Sequence, residues 1–154
     1  MAQPTVELIL ALRTTAARLA GGARFQWTHM GACICGNLVQ TITEVDPAEL
    51  HEIALQRAGD WGQQAYDYCP SSGLPIDHVF ARLTEIGLQA QDIGHLERLN
   101  HPRVLEALGG RRQVLNHRDR NDVVRYLETW AILLEGDLPT GAIAAMHSKL
   151  PIAA

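Results

Sequence analysis

Three cysteines and one histidine are spaced in this chain so that they could share a metal ion. Cys33 and Cys35 lie in Trp27–Thr28–His29–Met30–Gly31–Ala32–Cys33–Ile34–Cys35–Gly36, and Cys69 lies in Tyr66–Asp67–Tyr68–Cys69–Pro70. Residues two apart point about 200° apart on an α-helix but to one side of an extended or turning chain, so joint ligation by Cys33 and Cys35 requires a non-helical link. Gly31 and Gly36 flank the pair and permit that conformation. Two thiolates roughly 4 Å apart can then hold one ion at Zn–S distances of about 2.3 Å. His29 reaches the pair across one helical turn or by a bend at Gly31, since a straight extended chain would carry it about 13 Å from Cys33. With Cys69 closing the shell from the second segment, the expected site is His29, Cys33, Cys35 and Cys69.

A Cys₃His shell suits structural Zn²⁺ first, and soft thiolates also favour iron or an iron–sulfur cluster. If only three of the four bind, water takes the fourth position and the site becomes a Lewis acid or a hydroxide generator. Around this shell, Asp67 could accept a hydrogen bond from a ligating His29, and Asp77–His78 follows the Cys69 loop closely enough to orient a ligand or act as acid and base.

Two rival readings use the same residues. Free cysteine is among the most buried residue types, so the three can simply belong to the core. Alternatively, Cys35 precedes a short helix whose positive end lowers a thiol pKa, with His29, His51 or His78 as base. Cys35–Gly36–Asn37–Leu38–Val39–Gln40 loosely resembles the helix start of cysteine peptidases, but the strands on which such enzymes carry their histidine are missing from the pattern. His51–Glu52 begins like a zinc-protease helix, yet the second histidine would fall at Leu55, and that reading fails.

The elements that must position these residues are helical throughout. Val6, Ile9, Leu10, Leu12, Ala16 and Leu19 form a helical stripe, with Pro4 expected in its first turn and Gly21–Gly22 at its end. A short buried helix is predicted over Asn37 to Ile42, with Cys35 at its amino end. Asp46–Pro47–Ala48–Glu49 is a capping-box start for a helix from Pro47 to about Ala58, and Trp61, Ala65 and Tyr68 have near-helical spacing before Cys69–Pro70. Further helices are predicted from about Pro75 to Ile86, Ala90 to Leu99 and Pro102 to Leu108. A long one is capped by Asn121 or Asp122 and ends at Gly136, and a short one runs from Thr140 to Leu150. No sustained period-two alternation occurs, so the fold class is all-α, a single domain of about six to eight helices with residues 137–154 as a docked terminal helix and tail. Five of the eight aromatic residues fall between positions 25 and 68, which predicts that the cysteine segments pack together under an apolar cover.

At 154 residues the chain is long enough to bury a sizeable core without disulfides. A net charge of −4 argues against a dedicated nucleic-acid or anionic-membrane binder. Leu83 to Glu97 has a helix-turn-helix outline, but Asp92 and Glu97 on its second helix would repel phosphates. Arg111, Arg112, Arg118, Arg120 and Arg125 form the densest basic region, and the interleaved Asp119, Asp122 and Glu128 predict a salt-bridged, solvated face. The apolar run Val6 to Leu12 is interrupted by Glu7 and preceded by no basic residue, so it does not read as a secretory signal, and no stretch approaches a bilayer span. The expectation is a cytoplasmic protein whose cysteines remain reduced. Its partner would be a protein or a small molecule, with residues 140 to 150 as a candidate homodimer contact.

Overall fold

The computed structural model describes residues 1–27, 32–43, 76–110 and 114–147, and among these it contains seven helices and no strand. The all-α expectation therefore holds. The helix predicted from Pro47, the Trp61 to Cys69 segment and the tail beyond 147 lie outside the described residues.

Helix α1 (Val6–Ala20) buries Ile9, Leu12, Ala16 and Leu19 of the expected stripe, while Val6 and Leu10 are only half-buried and Leu8, Ala11 and Thr15 complete the buried face. Its cap is Thr5, not a first turn at Pro4. The Thr5 hydroxyl accepts from the Leu8 N–H at 3.1 Å and donates to the Ile86 carbonyl at 2.6 Å, so one side chain both starts α1 and ties it to a distant turn. The helix stops at Gly21–Gly22, where Gly22 takes φ +98° and the Ala23 N–H turns back to the Arg18 carbonyl at 2.9 Å.

Helix α2 (Ile34–Thr43) packs against α1 through a polar seam. The Arg18 guanidinium donates to the Asn37 carbonyl, the Thr41 hydroxyl and Gln40 Oε1, and the Thr15 and Thr41 hydroxyls meet at 2.8 Å. Helix α3 (Ile76–Glu85) ends at Gly87, whose φ of +114° lets the Leu88 N–H reach back to the Leu83 carbonyl. The amino-terminal segment crosses this turn, with the Gln3 N–H donating to the Gly87 carbonyl at 2.8 Å.

Helix α4 (Ala90–Arg98) starts with the buried Asp92 carboxylate accepting from the Gln89 N–H at 3.0 Å. A left-handed Leu99 then turns the chain into α5 (Pro102–Ala107), which opens with proline at its first position, where no N–H is needed. Helix α6 (Arg120–Gly136) is capped by Asp119 instead of Asn121 or Asp122, because the Asp119 carboxylate accepts from both of those N–H groups. It buries Val123, Tyr126, Leu127, Trp130, Ala131 and Leu134 against α1. The two run antiparallel: Arg120 donates to the Leu19 carbonyl at one end, and Arg13 pairs with Glu135 at the other. Helix α7 (Thr140–His147) follows, with Ala142 and Ile143 packed on the core.

Candidate functional site

The start of α2 is where the predicted site residues can be examined. Cys33 sits one residue ahead of the helix and Cys35 is its second residue, so the pair straddles a helix start. The fully non-helical link expected from sequence is not present. The reason lies in the cap: Cys33 takes the role that serine or aspartate usually fills, its sulfur accepting from the Gly36 N–H at 3.2 Å while its carbonyl accepts from the Asn37 N–H at 3.0 Å. Both cysteines are buried, and neither forms a disulfide.

A second element completes this helix start. Glu97, near the end of α4, sends its carboxyl to the Cys35 N–H at 2.8 Å and receives the Cys33 thiol. Burial pushes the Glu97 carboxyl above the ordinary carboxylate range, against the opposing pull of the Cys35 N–H and the Cys33 thiol. The amino end of α2 is thus closed by a sulfur on one side and a desolvated carboxyl on the other.

Asn37 fixes the approach to this end. It is 1% exposed, and its Nδ2 donates to the carbonyls of Arg24, Ala32 and Cys33 at 3.2, 3.1 and 3.0 Å. The Gln26 N–H reaches the Ala32 carbonyl at 2.9 Å, tying together the two ends of the stretch that contains His29. Trp27 is anchored outward, with its ring 4.2 Å from that of His117 and the Arg118 guanidinium 5.2 Å above it. Of the basic region expected to form a salt-bridged face, Arg125 pairs with Asp122, while Arg118 stacks over Trp27 and Arg120 donates to the Leu19 carbonyl; Arg111 and Arg112 lie outside the described residues.

Of the predicted metal set, Cys33 and Cys35 are brought to one helix end. His29 and Cys69 lie outside the described residues, as do Asp67, His51 and the side chains of Asp77 and His78. Among the described residues, no group of three or more His, Cys, Asp or Glu is arranged to hold a metal ion. Sequence reasoning missed Glu97, read only as a charge that would repel phosphate, and Asn37, read only as part of a short helix. A polar residue inside the apolar run Ile34 to Ile42 was the available signal for Asn37. Glu97 carries no comparable signal, because the Cys35 N–H that it receives is 62 residues away.

Among the described residues, no helix is long and apolar enough to cross a membrane. No protein-family model matches the chain, and neither a curated protein nor a solved structure matches it.

Proposed function

We propose that the protein is a small metal-binding helical protein in which Zn²⁺ is held by Cys33 and Cys35 together with His29 and Cys69, in a structural or redox role. What supports this reading is that Cys33 and Cys35 are both buried at the start of α2, with Cys33 ahead of the helix so that the link between them is not helical throughout, and that the Glu97 carboxyl stands against the Cys33 thiol. Metal binding requires thiolates, so each ligating cysteine must give up a proton. Glu97 stands against the Cys33 thiol, where that proton can be received. The Gly36 N–H on the Cys33 sulfur favours the thiolate and fixes its direction, as hydrogen bonds to ligand atoms do in metal centres.

The same geometry weakens the nucleophile reading. The helix end that would activate Cys35 already donates to a carboxyl through the Cys35 N–H, and Cys35 is only 6% exposed. A thiolate-rich shell also accommodates iron or an iron–sulfur cluster, and it is maintained most readily in a reducing compartment such as the cytoplasm. The partner of such a module is a protein or a small molecule, with residues 140–147 of α7 as the candidate contact for a second copy.

Elemental analysis and an ultraviolet–visible spectrum, on protein purified without oxidant or chelator, test the reading. One equivalent of colourless zinc is expected, falling to near zero in Cys33→Ser and Cys69→Ser. Iron with visible charge-transfer bands would move the role to redox chemistry. A folded, metal-free protein whose zinc content stays at zero when Zn²⁺ is added would sink the proposal.

A further inference from the structure

The corner between α4 and α5 is built around a histidine that the metal reading does not use. His101 caps α5 and is 6% exposed, with its ring 5.1 Å edge-on from that of His95 and 5.4 Å from that of Trp130. Its backbone N–H donates to the Tyr126 hydroxyl at 3.1 Å, and that hydroxyl donates to the His95 carbonyl at 3.0 Å. One phenol on α6 therefore holds the end of α4 and the start of α5 together. Tyr126 and Trp130 pack edge to face, 5.6 Å apart, behind this clasp. Among the described residues, the His101 Nδ1 is buried without a hydrogen-bond partner. A proton added there creates a charge that is desolvated and unpaired, which folded proteins avoid.

We infer that His101 is an acid-sensitive latch: its protonation releases the α4–α5 corner from α6 and, through Glu97 on α4, loosens the start of α2 that carries Cys33 and Cys35. The latch does not depend on any metal, and the cysteines serve here as reporter positions.

The groups around His101 set the direction. Burial lowers its proton affinity below that of an ordinary histidine, and the positive charges of His95, the amino terminus and Arg103 act in the same sense. Asp92 is the opposing charge, but one of its oxygens is held by the Gln89 N–H and the other lies 3.9 Å from the Met1 ammonium. Arg103 is itself paired with Asp137 at 2.7 Å, and Tyr126 is held above its ordinary range by burial and stays neutral. A histidine whose folded pKa lies below its unfolded one contributes stability that is complete above the unfolded value of about 6.5 and is lost as pH falls toward the folded value. Acid therefore opens the corner, and alkali does not.

The mechanical link follows from which faces α4 uses. His95 is held through its carbonyl by Tyr126, whereas Glu97, two residues on, faces α2 and receives the Cys35 N–H. Moving the end of α4 away from α6 therefore removes the carboxyl that closes the helix start.

Amide hydrogen exchange, corrected for intrinsic rates, tests the latch at Val104 and Leu105, whose N–H groups donate to the His101 carbonyl. In the wild-type protein, protection at these amides should fall between pH 7.5 and 5, by up to about tenfold for each unit of pKa depression. His101→Phe keeps a ring beside Trp130 and the backbone N–H to Tyr126 but cannot titrate, and its protection should be flat over the same range. His101→Gln serves if the phenylalanine variant does not fold. In parallel, labelling of Cys33 and Cys35 by an uncharged dipyridyl disulfide, which reacts in acid, should be faster at pH 5 relative to pH 7.5 in wild type than in the variant. A flat wild-type profile, or an equal pH response in wild type and variant, overturns the latch. Corner opening without any change in labelling overturns the link to α2.

Discussion

Replacing Asn37 with alanine probes the device that sets Cys33 in place. The side chain is fully enclosed and directs two N–H donors at three backbone carbonyls, which join residues 24, 32 and 33 to the first turn of α2. Two donors support two full-strength bonds, each contributing roughly 1 kcal/mol net, and leaving buried acceptors short of donors adds to the loss. We expect Asn37→Ala to cost about 2–3 kcal/mol, which in a chain of this size lowers Tm by roughly 5–10 °C. Asn37→Asp keeps the shape but replaces the donors with a carboxylate facing three carbonyl oxygens, so it should cost more than the alanine variant. Urea denaturation followed by circular dichroism measures both, and the labelling rate of Cys33 reports whether the helix start has come loose. A loss below about 0.5 kcal/mol for Asn37→Ala, or an aspartate variant as stable as wild type, would refute the assignment of the amide as the pin.

Gly87→Ala should destabilise by about 2–4 kcal/mol, since φ is +114° and a Cβ would lie 2.6 Å from the Gln3 carbonyl oxygen. Gly136→Ala, where the added Cβ meets nothing within 4 Å, should be neutral or stabilising by up to about 1 kcal/mol, and equal melting temperatures for the two variants would contradict the turn analysis. Glu97→Ala removes the carboxyl that receives the Cys35 N–H and should cost about 1 kcal/mol, read by chemical denaturation, with faster labelling of both buried cysteines. Unchanged labelling in that variant would show that Glu97 does not close the site.

Helix positions were legible wherever local chemistry alone sets them. Gly22 and Gly87 stop α1 and α3 because positive φ is cheap there, and Pro102 opens α5 because its missing N–H costs nothing at that position. Caps were read less well. Pro4 and Asn121 or Asp122 were the expected starts, but Thr5 and Asp119 hold them. Runs of adjacent polar residues offer several caps of similar strength, and the one used is the one that sets the buried stripe against its neighbour. Cys33 as the sulfur cap of α2 was hidden for a related reason: its spacing to Cys35 drew attention to a shared ligand, while its immediate partner is the Gly36 N–H.

What the sequence determined by itself is therefore the all-α class, most of the stripe of α1, and the placing of Cys35 at the amino end of a short buried helix. These follow from periodicities of three and four residues and from the conformational habits of glycine and proline, which act within one or two turns. The stripe Val124, Leu127, Trp130, Ile132 and Leu134 expected in α6 is met only in part, since Ile132 is exposed and Val123, Tyr126 and Ala131 are buried instead. Tertiary structure alone decided what Glu97, Asn37 and His101 do. Glu97 meets Cys35 across 62 residues, His101 meets Tyr126 across 25, and the Asn37 amide collects carbonyls from a separate loop. Burial then converts ordinary polar side chains into a raised carboxyl and a weakened base, because desolvation acts only after the helices have packed.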